Sequence, residues 1–257
     1  FLFDVSPIPF PKKGEENLTI SALKEALKAD DISSIIVEPL IQGAAGMRMY
    51  SPEILEEIFQ LCRERKVLII ADEVMTGFGR TGKLFATDYI TTKPDMVCMS
   101  KGLTGGAMAL GLTVATSEIY EAFISDDKLK TFFHGHSFTA NAVACSAACA
   151  SLDLFDEQQT WDNIARIEKR FAEFVSEMEG NAMFSDVRCQ GVIVALELKT
   201  ESESSYFNNK REEIYNHFLS KKIILRPLGN VVYFLPPYCI NQDDVERVLL
   251  EIKEFCN

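Results

Sequence analysis

The 257-residue chain carries a formal net charge of −12 and seven cysteines, with 47% hydrophobic and 25% charged residues. This excludes disorder as a description of the whole and allows a well-buried core, in one large α/β domain with room for a smaller appendage. The acidic balance, with no basic run to offset it, argues against a nucleic-acid partner, and the most apolar stretches, residues 67–71 and 105–115, fall short of the roughly 20 residues of a membrane span.

The chain opens FLFDVSPIPF, with no initiator Met, basic n-region or small-residue cleavage site, so nothing marks it for export. After this Pro-rich start, residues 21–28 have helical character and lead to a buried strand, Ile35-Ile36-Val37, ending at Glu38-Pro39. Ser51-Pro52-Glu53 opens a helix to about Lys66, with Ile54, Leu55, Ile58, Leu61 and Cys62 as its apolar stripe. Strands follow at 67–71, ending in Asp72-Glu73, and at 96–99, ending in Ser100-Lys101-Gly102, with a shorter candidate at 112–115. Short all-apolar strands separated by helices predict a mostly parallel sheet covered on both faces.

The second part reads differently. An Ala-rich helix at 140–155 and an amphipathic helix at 159–178 precede two β-rich runs, 185–190 and 192–198, that meet at Gly191. A polar segment at 200–209, a helix at 210–221, short strands at 223–226 and 231–235, a Pro236-Pro237 break and a helix at 242–255 complete the chain. This is an α+β unit, which places a boundary near Glu157, with residues 1–157 in one domain and 158–257 in a smaller one. The cysteines, Cys62, Cys98, Cys145, Cys149, Cys189, Cys239 and Cys256, are scattered without a C-x-x-C pair, the pattern of reduced thiols in a cytoplasmic protein. Cys145 and Cys149, one turn apart, read as part of the packed face of the Ala-rich helix.

In an open parallel sheet, ligands bind at the carboxyl ends of the strands. Glu38, Asp72 and Lys101 each follow an apolar run, either as site residues or because the chain is returning to water. Gly77-Phe78-Gly79-Arg80-Thr81-Gly82 satisfies G-x-G-x-x-G, but five residues separate it from the strand and no long helix follows, which argues against a dinucleotide site. Asp72 with Lys101 is the pair that pyridoxal phosphate chemistry requires, an acid to hold the ring nitrogen protonated and an amine to bond the cofactor; a salt bridge is the alternative. His134-Gly135-His136-Ser137 lacks the further ligands of a metal site. Gly135 and Ser137 before a helix fit a phosphate-binding loop or an ordinary Ser cap.

VEPLIQGAAGM, ADEVMTGFGRTG, SKGLTGG and HGHSF, in that order, resemble the successive signatures of the class III aminotransferases, fold-type I pyridoxal phosphate enzymes. The resemblance covers essentially the whole chain. GMRMYSPE, KGLTGGAMALGLT and IILRPLGNVVYFLPPY are most similar to the subgroup of biotin synthesis that passes an amino group from S-adenosylmethionine to 8-amino-7-oxononanoate. Gln42-Gly43-Ala44-Ala45-Gly46 also lacks the Glu that ornithine-type members carry in QGEAG. The resemblance implies a mostly parallel central sheet flanked by helices in 1–157, as part of the large cofactor domain, and a small C-terminal α+β domain in 158–257. It implies pyridoxal 5'-phosphate bonded to Lys101, Asp72 on the ring nitrogen, Val74 on the ring face, and His136 and Ser137 at the phosphate. Gly135, Arg226, Arg80 and Tyr233 would meet substrate, Arg226 by holding its carboxylate. A homodimer is implied, with the Gly135–Ser137 loop reaching the partner's cofactor, and neither nucleic acid nor membrane as partner. His136 stands where the family has Pro and Ser137 where it has Thr. Members are longer, so the resemblance also implies a missing N-terminal portion that carries a Gly-Ser phosphate loop and an aromatic residue stacked on the ring. The readings left open are another class III ω-amino-acid or diamine transaminase, and a transaminase-like fragment without catalysis.

Overall fold

A computed structural model describes residues 4–200 and 207–255. Cys256 and most of the polar 200–209 segment lie outside the described residues. The chain forms two compact units, one of residues up to Leu40 with Tyr50–Gly77 and Phe85–Asp153, the other of Ile41–Met49, Phe78–Leu84 and Leu154 onward.

The first unit is built on a four-stranded sheet in the order β1-β4-β5-β6, from β1 (Ser34–Val37), β4 (Leu68–Asp72), β5 (Met96–Met99) and β6 (Leu112–Ala115). β1, β4 and β5 run parallel, and β6 is antiparallel to β5. Helix α1 (Glu16–Ala26) and helix α2 (Pro52–Glu64) precede β4. α2 starts where proline belongs, at the first helical position, and buries Leu55, Ile58, Phe59 and Cys62. Burial pushes the Cys62 thiol up to about 11, so it behaves as a packed apolar group.

The sheet is mostly parallel and accompanied by helices, as expected, and within this chain its two faces differ in exposure. Register puts Ile36, Ile70 and Met96 side by side, so they share one face, while Ile69 and Ala71 occupy the other. Ile69 and Ala71 are fully buried; Ile36 is 64% exposed and Leu68 37%. All four residues of β6 are exposed. Apolar composition gave these strands the look of a buried layer, yet composition does not say whether a covering layer is present. Helix α3 (Ser117–Glu121) follows β6, and α4 (Ala142–Asp153) closes the unit.

The second unit holds a β2 (Ile41–Gln42) and β3 (Arg48–Met49) hairpin, and an antiparallel sheet β7-β8-β9 of Phe184–Gln190, Ile193–Leu198 and Val231–Phe234. Helices α5 (Gln158–Glu177), α6 (Lys210–Ser220) and α7 (Gln242–Phe255) supply Ile167, Phe171, Phe174, Phe218 and Leu249 to a core shared with Val194, Leu196 and Val232. Residues 223–226 do not form the expected strand. Ile223 and Leu225 are buried and Ile224 is 83% exposed, an alternation that satisfies packing, but among the described residues no ladder is built there and an isolated bridge lies beyond Pro227, between Leu228 and Val231. Among the described residues no helix is long and apolar enough to cross a membrane.

Candidate active site

Asp72 is the last residue of β4, opposite Cys98 of the parallel neighbour β5, and Lys101 follows Cys98 by three residues. Both groups therefore emerge at the carboxyl ends of adjacent parallel strands, Asp72 on the open face with Ile70. Asp72 is half-buried, and its Oδ1 accepts the Val74 N–H at 3.0 Å. Among the described residues Oδ2 has no hydrogen bond, and the exposed Lys101 ammonium has neither a hydrogen bond nor an ion pair, so the two do not form the salt bridge that the sequence left open.

Lys101 has φ +44, a left-handed conformation that a residue with a Cβ adopts at a cost. Its surroundings hold it there. Lys101 opens a 3₁₀ turn, Lys101–Thr104, that ends on Gly105 at φ +59, and the Ser100 hydroxyl donates to Leu110 O at 2.7 Å. α4 packs against this turn through Ala144, Ala148 and Ser151, and the Ser151 hydroxyl donates to Gly102 O at 3.2 Å. Small side chains permit that close approach, and the Ala-rich sequence of α4 serves it. Cys145 is half-buried, but Cys149 lies exposed, outside the packed face expected for it.

Glu73, which ends the second strand of the sequence reading together with Asp72, is fully buried. Its Oε1 accepts the Thr87 N–H (2.8 Å) and hydroxyl (3.0 Å), and its Oε2 accepts the Ala86 N–H (3.1 Å) and the Thr76 hydroxyl (2.5 Å). Burial raises its proton affinity above the usual carboxyl range even against these four donors. No sequence signal separates Glu73 from Asp72, since only the direction of alternation at the strand end does so.

The 131–140 segment is exposed throughout and has no regular structure. His136 Nδ1 accepts the Phe138 N–H at 3.1 Å, and the His136 backbone N–H donates to the Thr139 hydroxyl at 2.9 Å. α4 begins at Ala142, later than expected, and the Asn141 side chain already accepts the N–H groups of Val143 and Ala144. Gly135 and Ser137 therefore do not sit on an open helix N-terminus. Any anion they hold would be met by the loop's own groups.

Arg80, Arg226 and Tyr233 belong to the second unit. Arg80 Nη1 donates to Pro236 O at 2.7 Å, and its guanidinium lies 4.7 Å from the Tyr238 ring centroid. The Tyr238 hydroxyl donates to Phe78 O, and burial pushes that phenol up to about 12. The 78–84 segment is held further by Val192 N–H to Arg80 O (3.1 Å) and by Gly191, where a Cβ would come within 2.3 Å of Thr81. Arg226 is exposed, and Tyr233 is half-buried in β9 beside Ala195. In the β2–β3 hairpin, Ala44 and Ala45 are exposed and present no carboxylate, while Arg188 of β7 donates to Gly46 O (2.5 Å) and Met47 O (2.8 Å). Sequence reading gave no role to Arg188 and Asn141, lone residues without a motif, nor to Tyr238, although it ends the IILRPLGNVVYFLPPY segment.

The sequence matches the family model described as Aminotransferase class-III over residues 5–255. It is 37% identical over 261 residues to the adenosylmethionine-8-amino-7-oxononanoate aminotransferase of Synechococcus elongatus, covering 98% of this chain and 61% of that protein. To the protein of the same name from Helicobacter pylori it is 35% identical, over 96% of this chain and 57% of the other. The crystal structure of adenosylmethionine-8-amino-7-oxononanoate aminotransferase from Methanocaldococcus jannaschii superposes with a TM-score of 0.84 at 33% identity, covering 93% of this chain and 56% of that one. An ornithine aminotransferase from Plasmodium yoelii reaches 0.82 at 27% identity, over 98% and 62%. The chain thus spans about half the length of the curated relatives it matches.

Proposed function

The chain belongs to the class-III aminotransferases, and from that membership we propose that it serves pyridoxal phosphate-dependent transfer of an amino group from S-adenosylmethionine to 8-amino-7-oxononanoate, giving 7,8-diaminononanoate in biotin synthesis. The observation that supports this most is Asp72 and Lys101 at the ends of adjacent parallel strands, each with an uncommitted polar atom among the described residues. The relatives' names supply the choice of substrates.

The residues present fit the cofactor's chemistry. When bound, pyridoxal phosphate supplies an electron sink next to the carbon that gives up or gains the amino group. Asp72, whose Oδ2 is left unused by Val74, would hold the ring nitrogen of the cofactor and keep positive charge there. Val74 packs on the ring face. Lys101 anchors the cofactor; its amine, once released, takes a proton from the α-carbon of the donor and later delivers one to the former keto carbon of the acceptor. The Ser137 hydroxyl and His136 meet the phosphate, with Gly135 leaving room for substrate beside them. The Arg226 guanidinium pairs with the acceptor's carboxylate as a fork. Arg80, already bonded to Pro236 O, and Tyr233 would meet substrate. The protein works in the cytoplasm as a homodimer in which 135–137 serve the partner's cofactor. The exposure of that loop and the absence of disulfides among the described residues support this reading.

The test is a mixture of the purified protein, pyridoxal phosphate and both substrates, followed by the visible absorption of bound cofactor and by product mass. Lys101→Ala is expected to abolish the lysine-dependent band and to lower product formation by at least about 100-fold. A Lys101→Ala protein with the wild-type rate, or a wild-type protein that stays colourless with added cofactor, would defeat the reading. Ornithine, β-alanine and lysine as rival donors test the substrate, and a higher rate with any of them moves the function to another class-III reaction.

A further inference from the structure

Two acids are buried among the described residues, and they are held in different ways. Asp95, 9% exposed, is paired with the Arg63 guanidinium at 2.7 Å. Glu73, with no exposed surface, has no cation beside it; its four donors are two backbone amides and two threonine hydroxyls. A buried carboxyl without a counter-ion costs more than an apolar side chain of similar size, so packing alone does not explain it. The donors explain it better. Thr76 lies on one stem of the loop that leaves β4, and Ala86 and Thr87 on the other, so one carboxyl group closes the neck of the loop.

The backbone around Glu73 is pinned as well. Its N–H donates to Cys98 O (2.9 Å), its carbonyl accepts the Gly77 N–H (3.0 Å), and a Cβ at Gly77 would lie 2.9 Å from that carbonyl oxygen. Asp72 Oδ1 is bonded to the amide of Val74, the residue just past Glu73. The turn from Asp72 to Gly77 is thus one hydrogen-bonded piece with Glu73 at its centre, its side chain going to the covered face while Asp72 occupies the open one. We propose that Glu73 is a positioning residue, whose carboxyl group, by closing the loop neck, sets the direction of the Asp72 carboxylate and of Val74 at the site. The consequence for the cofactor rests on the function proposed above, whereas the consequence for Asp72 does not.

Residue-resolved hydrogen exchange on the chain and on Glu73→Gln decides between positioning and a local core bond. Gln keeps the shape but turns an amide N–H₂ toward groups that can only donate or are already donating. The Val74 amide, donated to Asp72, reads whether that carboxylate is held; the Ala86 and Thr87 amides read the direct bonds. All three are expected to exchange about ten-fold faster in the variant, with the amides of α2 unchanged. Loosened Ala86 and Thr87 beside an unchanged Val74 overturn the proposal. If Glu73→Gln does not fold, Thr76→Val removes one donor and should accelerate Val74 by a smaller factor; no change there overturns it equally. With added pyridoxal phosphate, Glu73→Gln should also shift the pH midpoint of the visible band in the same direction as Asp72→Asn. A wild-type chain that takes up no cofactor would remove the function proposed above, and the exchange of Val74 would still decide the role of Glu73.

Discussion

The two units use similar apolar compositions to different ends. In the second, Phe171, Phe174, Phe218, Ile164 and Leu196 are fully buried between one antiparallel sheet and three helices. In the first, α2 and β4 build a buried face around Ile69 and Phe59, while Ile36, Leu112, Val114, Phe132 and Phe133 lie exposed at 45% or more. The difference teaches that an apolar residue on a strand states what it would gain by burial, not that something is there to bury it. The second unit closes on its own residues. The first carries the proposed chemistry on the face left open.

The sharpest way to break that contrast is to cut into the closed core. Phe171, fully buried and 5.5 Å ring to ring from Phe234, should cost about 4 kcal/mol on replacement by Ala, through lost transfer energy and the cavity left behind. The single tryptophan, Trp161, donates to Phe155 O within the second unit, so its fluorescence reports that unit selectively in a denaturant titration. A fluorescence midpoint that does not move in Phe171→Ala would show that the core is looser than its burial states.

Acid titration separates the units by sign. Glu73 has its folded-state pKa raised above 4.5 by burial, so the native state holds its proton more tightly. Its contribution to stability is full below 4.5 and is lost as pH rises through the raised value. In the second unit Glu177, bonded to Lys253 and Arg170, and Glu251, bonded to Lys221 and His217, have lowered values. Their contribution is present above 4.5 and is lost as pH falls through the lowered values. Unfolding followed against pH is expected to show Glu73→Gln flattening the loss toward neutral pH, and Glu251→Gln flattening the loss toward acid. The second effect should be the smaller, because the Lys221 ammonium that pairs with Glu251 is 44% exposed and screened by solvent. A wild-type stability that rises from pH 4.5 to 6 by the same amount in Glu73→Gln would contradict the burial effect.

The sequence made the order of elements legible because each carries a local signal: a proline at the start of α2, a 3.6-residue stripe in α5, short all-apolar strands at β4 and β5. Asp72 and Lys101 were legible for the same reason, as the first ionisable residues past those strands. Residues 223–226 were misread because alternation is shared by strands and by extended segments that pack without a ladder, and hydrogen-bond partners are not written locally. Glu73 and Arg188 were hidden because their partners lie up to 14 and 142 residues away, and many of them are backbone carbonyls and amides that have no side-chain identity. The same holds for Arg80, whose contact with Pro236 O spans 156 residues.

The smallest expected effect tests the open face itself. Ile36 sits on β1 at the edge of the sheet, 64% exposed and in register with Ile70. Thr is β-branched as well, so Ile36→Thr keeps strand propensity while it replaces the apolar tip by a hydroxyl. With that tip already in water, stability should change by no more than about 0.5 kcal/mol. A covered Ile36 would instead lose on the order of 2 kcal/mol, the worth of burying such a side chain. Measuring the variant at several protein concentrations makes the outcome decisive, because cover supplied by a second copy would make the cost grow with concentration. A small, concentration-independent change keeps the contrast between the units as a property of the single chain.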